Sequence, residues 1–151
     1  MGAESELPGQ QVIGIGNPLR GDDGVGALLA EEAGGCHVQQ LTPELAAELA
    51  ALQRVLFIDA WLAPPGAAPR LDRLDPLLPG DAHGAAGLAS HHLDPAQLLA
   101  LCQALYGRAP EGWWLRIPAW ALAHGTTFSP ALAASLPAAR ALRQTWLAHH
   151  A

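Results

Sequence analysis

The run Val55-Leu56-Phe57-Ile58 constrains the fold more than any other stretch of the chain. Four consecutive apolar residues, partly β-branched and closed by Asp59, suit a strand buried on both faces, as in the interior of a parallel sheet covered by helices. The remainder alternates to match. Residues 11–15 read as a first strand and 23–34 as a helix stopped by Gly34-Gly35. Residues 36–41 read as a weak strand, Thr42-Pro43-Glu44 as the start of a helix over 44–52, 70–74 as an edge strand and 113–117 as a further strand. Asp94-Pro95 and Ser129-Pro130 each place an N-cap before a proline suited to the first helical turn. They open helices reaching Gly107 and about His149, with Pro137 expected to break or bend the second one early. Residues 63–69 and 76–87 read as loops. The expected architecture is α/β: one domain over 1–151 with a twisted, mostly parallel sheet of about five strands and helices on both faces. Residues 1–10 are expected to form a flexible tail.

Charge narrows the function. All eight basic residues are Arg, no run of them forms a stripe, and the formal net charge is −6, which disfavours nucleic acid. Apolar stretches are interrupted well before the ~18 residues a membrane span needs. Met1-Gly2-Ala3-Glu4-Ser5-Glu6 lacks the basic region and apolar core of a signal peptide, so a cytoplasmic location is expected. Cys36 and Cys102 have no CxxC spacing and read as buried thiols. With sixteen Gly and thirteen Pro, and half the residues apolar, the chain reads as a compact globular protein rich in turns.

In open parallel sheets ligands sit beyond the carboxyl ends of the strands, which directs attention to the loops leaving residues 15 and 59. After the first strand comes Gly14-Ile15-Gly16-Asn17-Pro18-Leu19-Arg20-Gly21-Asp22-Asp23-Gly24-Val25-Gly26. Two glycines at a strand end also begin a nucleotide-binding turn, but the third glycine is replaced by Leu19 and two carboxylates would repel a phosphate. They suit a cation, or serve as acids in a first helical turn. Asp59 stands after the apolar run, where an unpaired charge is costly and needs a partner. Ser90-His91-His92 precedes the Asp94-Pro95 helix. Two carboxylates and an imidazole on one rim would make an O,O,N set for a divalent transition metal.

The glycine-rich stretch resembles the opening motif of the nickel-iron hydrogenase maturation endopeptidases. Val55 to Ala60 resembles that family's strand-Asp motif, Leu98 to Cys102 its apolar helix, and Gly125-Thr126-Thr127-Phe128-Ser129-Pro130 its stretch before the last helix. The likeness spans about residues 11–140, with the first motif the most specific. It implies a metal-dependent endopeptidase that removes a C-terminal peptide from the nickel-loaded hydrogenase large-subunit precursor. It further implies Asp23, Asp59 and His91, with His92 as the alternative, as the residues that sense nickel. That nickel would be supplied by the substrate rather than permanently bound. The chain has neither GxSxG nor HExxH, which argues against a serine mechanism or a resident zincin site. A non-catalytic nickel-binding chaperone and a nucleotide-binding module remain alternatives. Trp61, following Asp59, is expected to contact the substrate, whereas Trp113, Trp114 and Trp120 could serve the core or a docking surface.

Overall fold

The computed structural model describes residues 9–75, 93–121 and 125–149. Among these residues five strands and four helices occur in the order β1 (Gln10–Ile15), a 3₁₀ turn (Gly21–Gly24), α1 (Val25–Glu32), β2 (Cys36–Val38), α2 (Leu45–Ala50), β3 (Arg54–Leu62), β4 (Arg70–Arg73), α3 (Pro95–Tyr106), β5 (Glu111–Ala119) and α4 (Pro130–Ala148). The strands form one sheet in the order β2-β1-β3-β5-β4. This is the expected mostly parallel α/β architecture, with the apolar run at its centre.

Backbone pairing explains the directions. β2 lies parallel to β1, with Ile13 opposite Cys36 and Ile15 opposite Val38. Gly9 C=O accepts from Gln53 and Arg54 N–H, and Glu111 N–H donates to Gln53 C=O, so β1, β3 and β5 begin side by side. Leu74 N–H bonds Gly112 C=O at 2.9 Å while Asp72 reaches Arg116 farther along β5. β4 therefore runs antiparallel to β5, as an edge strand reached through a short connection can.

Contacts divide the described residues into two compact units. The larger holds 12–39, 56–72, 113–121 and 125–149. There, period-two alternation sends Val12, Leu56, Ile58, Leu115 and Ile117 to one face, against Leu29 of α1 and Leu132 and Trp146 of α4. Ile13, Ile15 and Phe57 on the opposite face are also buried, which is why the central strands carry no polar alternation. Each fully buried Leu, Ile or Phe contributes roughly 1.5–3 kcal/mol. The two helices of that face are also tied by charge: Glu32 accepts from Arg140 at 2.8 Å and from Arg143 at 2.7 Å, and Arg143 donates to Leu29 C=O.

The smaller unit holds 9–11, 40–55, 73–75 and 93–112. Its α3 starts with a capping box: Asp94 Oδ1 accepts from Gln97 N–H, and Gln97 Oε1 from Asp94 N–H. Both orphan donors are thereby satisfied, as the Asp-Pro signal implied. Cys102 is buried on the inner face of α3 and its thiol donates to Ala46 C=O.

Several expectations need correction. Asp23 is not in the first α-helix but in the 3₁₀ turn before it, because Asp22 is drawn away to accept bonds from distant loops. Cys36 is exposed, since β2 is a three-residue edge strand with little covering it. Pro137 does not break α4, which continues to Ala148. A helix-interior proline costs about 3 kcal/mol, and the buried Leu132 and Trp146 on either side of it offset that. Gln10 belongs to β1 rather than to a tail. Residues 1–8, the expected loop over 76–87, and Ser90, His91 and His92 lie outside the described residues.

Candidate functional site

The end of β1 is shaped by glycine. Gly26, in the first turn of α1, lies so close to the carbonyls of Ile15 and Ile58 that a Cβ would overlap both. α1 can therefore start directly on the seam between β1 and β3, and the double contact shows that Ile15 and Ile58 lie level. The next residues along the two strands are Gly16 and Asp59. Gly16 has φ +134, and a Cβ there would strike the Asp23 backbone oxygen. Only glycine lets the 3₁₀ turn fold back over the strand end, carrying Asp23 to the place where Asp59 emerges.

Asp23 is held by its own loop. Asn17 N–H donates to Asp23 Oδ2 at 2.7 Å, and Asn17 Oδ1 accepts from Leu19 N–H at 2.9 Å. Burial pushes the Asp23 carboxyl above its ordinary value, against the opposing effects of the Asn17 bond and the Arg20 charge. Asp59 is more strongly affected. It keeps some exposed surface, yet burial of its carboxyl, followed by the charge of Asp23, raises it to about 7, with the Ala60 N–H and Arg116 pulling the other way. Two carboxylates pushed upward together form a site short of positive charge.

Asp22 does something different. It is fully buried and accepts four hydrogen bonds: Oδ2 from Trp120 N–H (2.8 Å), Ala121 N–H (2.9 Å) and Ser129 Oγ–H (2.7 Å), and Oδ1 from Ser129 N–H (2.7 Å). Burial works to raise its pKa, but these bonds together hold it below the usual carboxylate range. Ser129 Oγ also accepts from Leu132 N–H as the N-cap of α4. The clamp is completed by backbone bonds: Gly21 N–H to Gly125 C=O, Gly125 N–H to Leu19 C=O and Asp22 N–H to Ala121 C=O. The Asp22-Asp23 pair thus divides its labour, one acid tying three loops together and its neighbour left for the site.

The expected site residues are therefore placed unequally. Asp23 and Asp59 are brought within electrostatic reach of each other, and His91 and His92 lie outside the described residues. Among those residues no three His, Cys, Asp or Glu side chains form a metal-binding group. Trp61 is not in a rim loop but in β3, two residues past Asp59, because the strand extends to Leu62. The role of Asp22 was missed in the sequence. Its partners are about a hundred residues away, and only the cap signal at Ser129 marked one of them.

No protein-family model matches the chain, and no match is found among curated protein sequences. Solved structures do match. The [NiFe] hydrogenase maturation protease HybD from Thermococcus kodakarensis aligns with a TM-score of 0.64 at 20% identity, covering 91% of this chain and 97% of that one. The hydrogenase 2 maturation peptidase of a Thaumarchaeota archaeon gives 0.62 at 21% identity, over 91% and 97%. The hydrogenase maturating endopeptidase HybD from E. coli gives 0.64 at 18% identity, over 90% and 93%. The chain shares their fold along nearly its whole length.

Proposed function

We propose that this chain is an endopeptidase of nickel-iron hydrogenase maturation, removing a C-terminal peptide from the large-subunit precursor once nickel is in place. The observation that carries the reading is the convergence of Asp23 and Asp59 at the level ends of β1 and β3. It occurs in a fold shared with proteins named as maturation proteases, and on the motif whose resemblance implied those residues. The donor set fits the substrate's nickel. Two oxygen donors whose proton affinity is raised, Asp23 by burial and Asp59 by burial and then the Asp23 charge, present the charge deficit a divalent cation relieves.

Asp23 would be the pre-oriented donor, its carboxylate fixed by the Asn17 N–H. Asp59, raised to about 7, would surrender its proton as the cation approaches, because a ligating carboxylate must be ionised. His91, or His92, would supply the imidazole, which must be neutral; cleavage should then fall as pH drops through about 6. Nickel bound in the substrate would supply Lewis-acid chemistry at the scissile region, through a polarised carbonyl or an activated water. The chain's own part is to recognise that charge and hold the peptide bond beside it. A cytoplasmic setting fits this reading, and no described helix is long and apolar enough to cross a membrane.

The test is incubation with nickel-loaded and nickel-free large-subunit precursor, with products read by mass. Loss of a C-terminal peptide only from the loaded precursor, abolished in Asp23→Ala, is the expected result. No cleavage in either sample, with nickel retained by this chain, would replace the endopeptidase by a nickel-binding chaperone.

A further inference from the structure

The sheet carries a second cluster beside Asp59. Trp61 lies two residues beyond it on β3, Trp114 and Arg116 on β5, and Arg70 and Asp72 on β4. Strand alternation puts all of them on the face away from α1 and α4, because Ile58, Leu71, Leu115 and Ile117 point to the core. The Arg116 guanidinium stands 4.4 Å from the Trp114 ring centroid and 5.6 Å from that of Trp61, and Arg70 stands 5.9 Å from Trp61. Arg116 Nη2 donates to Asp72 Oδ2 at 3.1 Å, and Arg70 reaches the other Asp72 oxygen at 3.4 Å.

This cluster is incomplete as a structural device. Arg116 Nε and Trp114 Nε1 are both buried, and among the described residues neither has a hydrogen-bond partner. Two open donors in stacked neighbours are costly to leave unmade. The cluster nevertheless reaches solvent, with the Arg116 side chain 24% exposed and that of Arg70 54%. Arg70 and Arg116 share Asp72, and Asp59, within reach of the Arg116 charge, is the second carboxylate beside them, so the guanidinium groups are in excess while Asp59 holds its proton. The part of the Arg116 guanidinium that reaches solvent can take an acceptor from outside the chain, and the acceptor whose geometry suits a guanidinium fork is a carboxylate. A basic or purely apolar partner offers it no such group.

We propose that Arg116, held between Trp61 and Trp114, binds the carboxylate of an acidic side chain on the polypeptide substrate. The proposal rests on the endopeptidase reading for the identity of that polypeptide. It turns the expected contact at Trp61 into a specific one, in which the tryptophan is a wall that orients the arginine. If Arg116 served only to strap β5 to β4 through Asp72, the cluster would show no preference among peptides.

The experiment uses the full chain labelled with ¹⁵N-tryptophan, titrated with the blocked pentapeptide acetyl-Ala-Ala-Glu-Ala-Ala-amide and with its glutamine counterpart. Trp114→Phe identifies the Trp114 indole resonance. The glutamate peptide should shift that resonance and bind about tenfold more tightly than the glutamine peptide, a preference removed in Arg116→Gln. Arg116→Lys should lose most of it, since a point charge keeps neither the stacking nor the Nε–H. Equal binding of the two peptides by the unmodified chain overturns the proposal without recourse to any variant. So does an undiminished preference in Arg116→Gln. With the nickel-loaded precursor, Arg116→Gln should raise KM about tenfold; an unchanged KM overturns the acidic contact while leaving the endopeptidase intact. A chain that prefers the glutamate peptide but never cleaves the loaded precursor loses the endopeptidase reading and keeps the carboxylate site.

Discussion

Replacing Asp22 by Ala should be among the most destabilising single changes available outside the apolar core. The side chain is fully buried and accepts from Trp120, Ala121 and Ser129 N–H and from Ser129 Oγ–H. A hydrogen bond to a charged group contributes about 1.5–3 kcal/mol net. The four share one carboxylate and do not add, and water can reach some of the freed donors, so the expected loss is about 3–5 kcal/mol, as for breaking one side of a buried charged network. That is a large part of the 5–15 kcal/mol typical of a domain's stability. Asp22→Asn should cost less, because one amide oxygen can still accept, but its NH₂ must face one of the donors. The acid has a pH signature as well. Its folded pKa lies below the unfolded value, so its contribution is complete above about pH 4 and is lost as pH falls toward the folded value. Urea unfolding followed by tryptophan fluorescence at pH 7 and pH 3 would measure both, with m unchanged if the native state keeps its extent. Amide exchange at Trp120, Ala121 and Ser129 should quicken in the variant. A loss under about 1 kcal/mol at pH 7, with protection of those amides intact, would refute the clamp.

Asp59→Asn should act in the opposite sense. With the folded carboxyl near 7 through burial and then Asp23, against 3.8 for the free side chain, the folded state holds a proton the unfolded state has released. Wild-type stability therefore declines as pH rises from about 4 to 7, and the Asn variant should be about 2–4 kcal/mol more stable at pH 8 but not at pH 4; parallel pH profiles for the two would contradict this. Gly26→Ala should destabilise by several kcal/mol, although alanine is the better helix former by about 1 kcal/mol, because its Cβ overlaps the Ile15 and Ile58 carbonyls. A neutral or raised Tm would show that α1 can move off the strands. Glu32, lowered to about 2 chiefly by the Arg140 bond, should contribute about 1 kcal/mol above pH 4.5 after allowance for its partial exposure. Glu32→Gln should remove that contribution, along with its decline as pH falls toward 2; a loss that does not vary between pH 7 and 2 would contradict the assignment.

Much of the fold was legible because its signals are local. The apolar run 55–58 required burial on both faces, Asp94-Pro95 specified a cap whose box partner Gln97 lies three residues on, and the alternating segment at 70–73 is an edge strand. Where reading failed, a distant contact overrode a local preference. Pro137 lost to the buried residues flanking it, and Cys36 is exposed because the sheet ends there. The first helix begins late because Asp22 answers to residues around 120 and 129.

The candidate site divides along the same line. That glycines and two acids coincide at a strand end, and that Asp59 closes an interior strand, could be read from the chain alone, since covalent order and side-chain period suffice for both. Folding settled which acid of the pair is a clamp and which faces Asp59, and it set Arg116 between two tryptophans with an open donor. Those outcomes depend on which hydrogen bonds and charges meet across the sheet, and residues so far apart in the chain leave no periodic trace of their meeting.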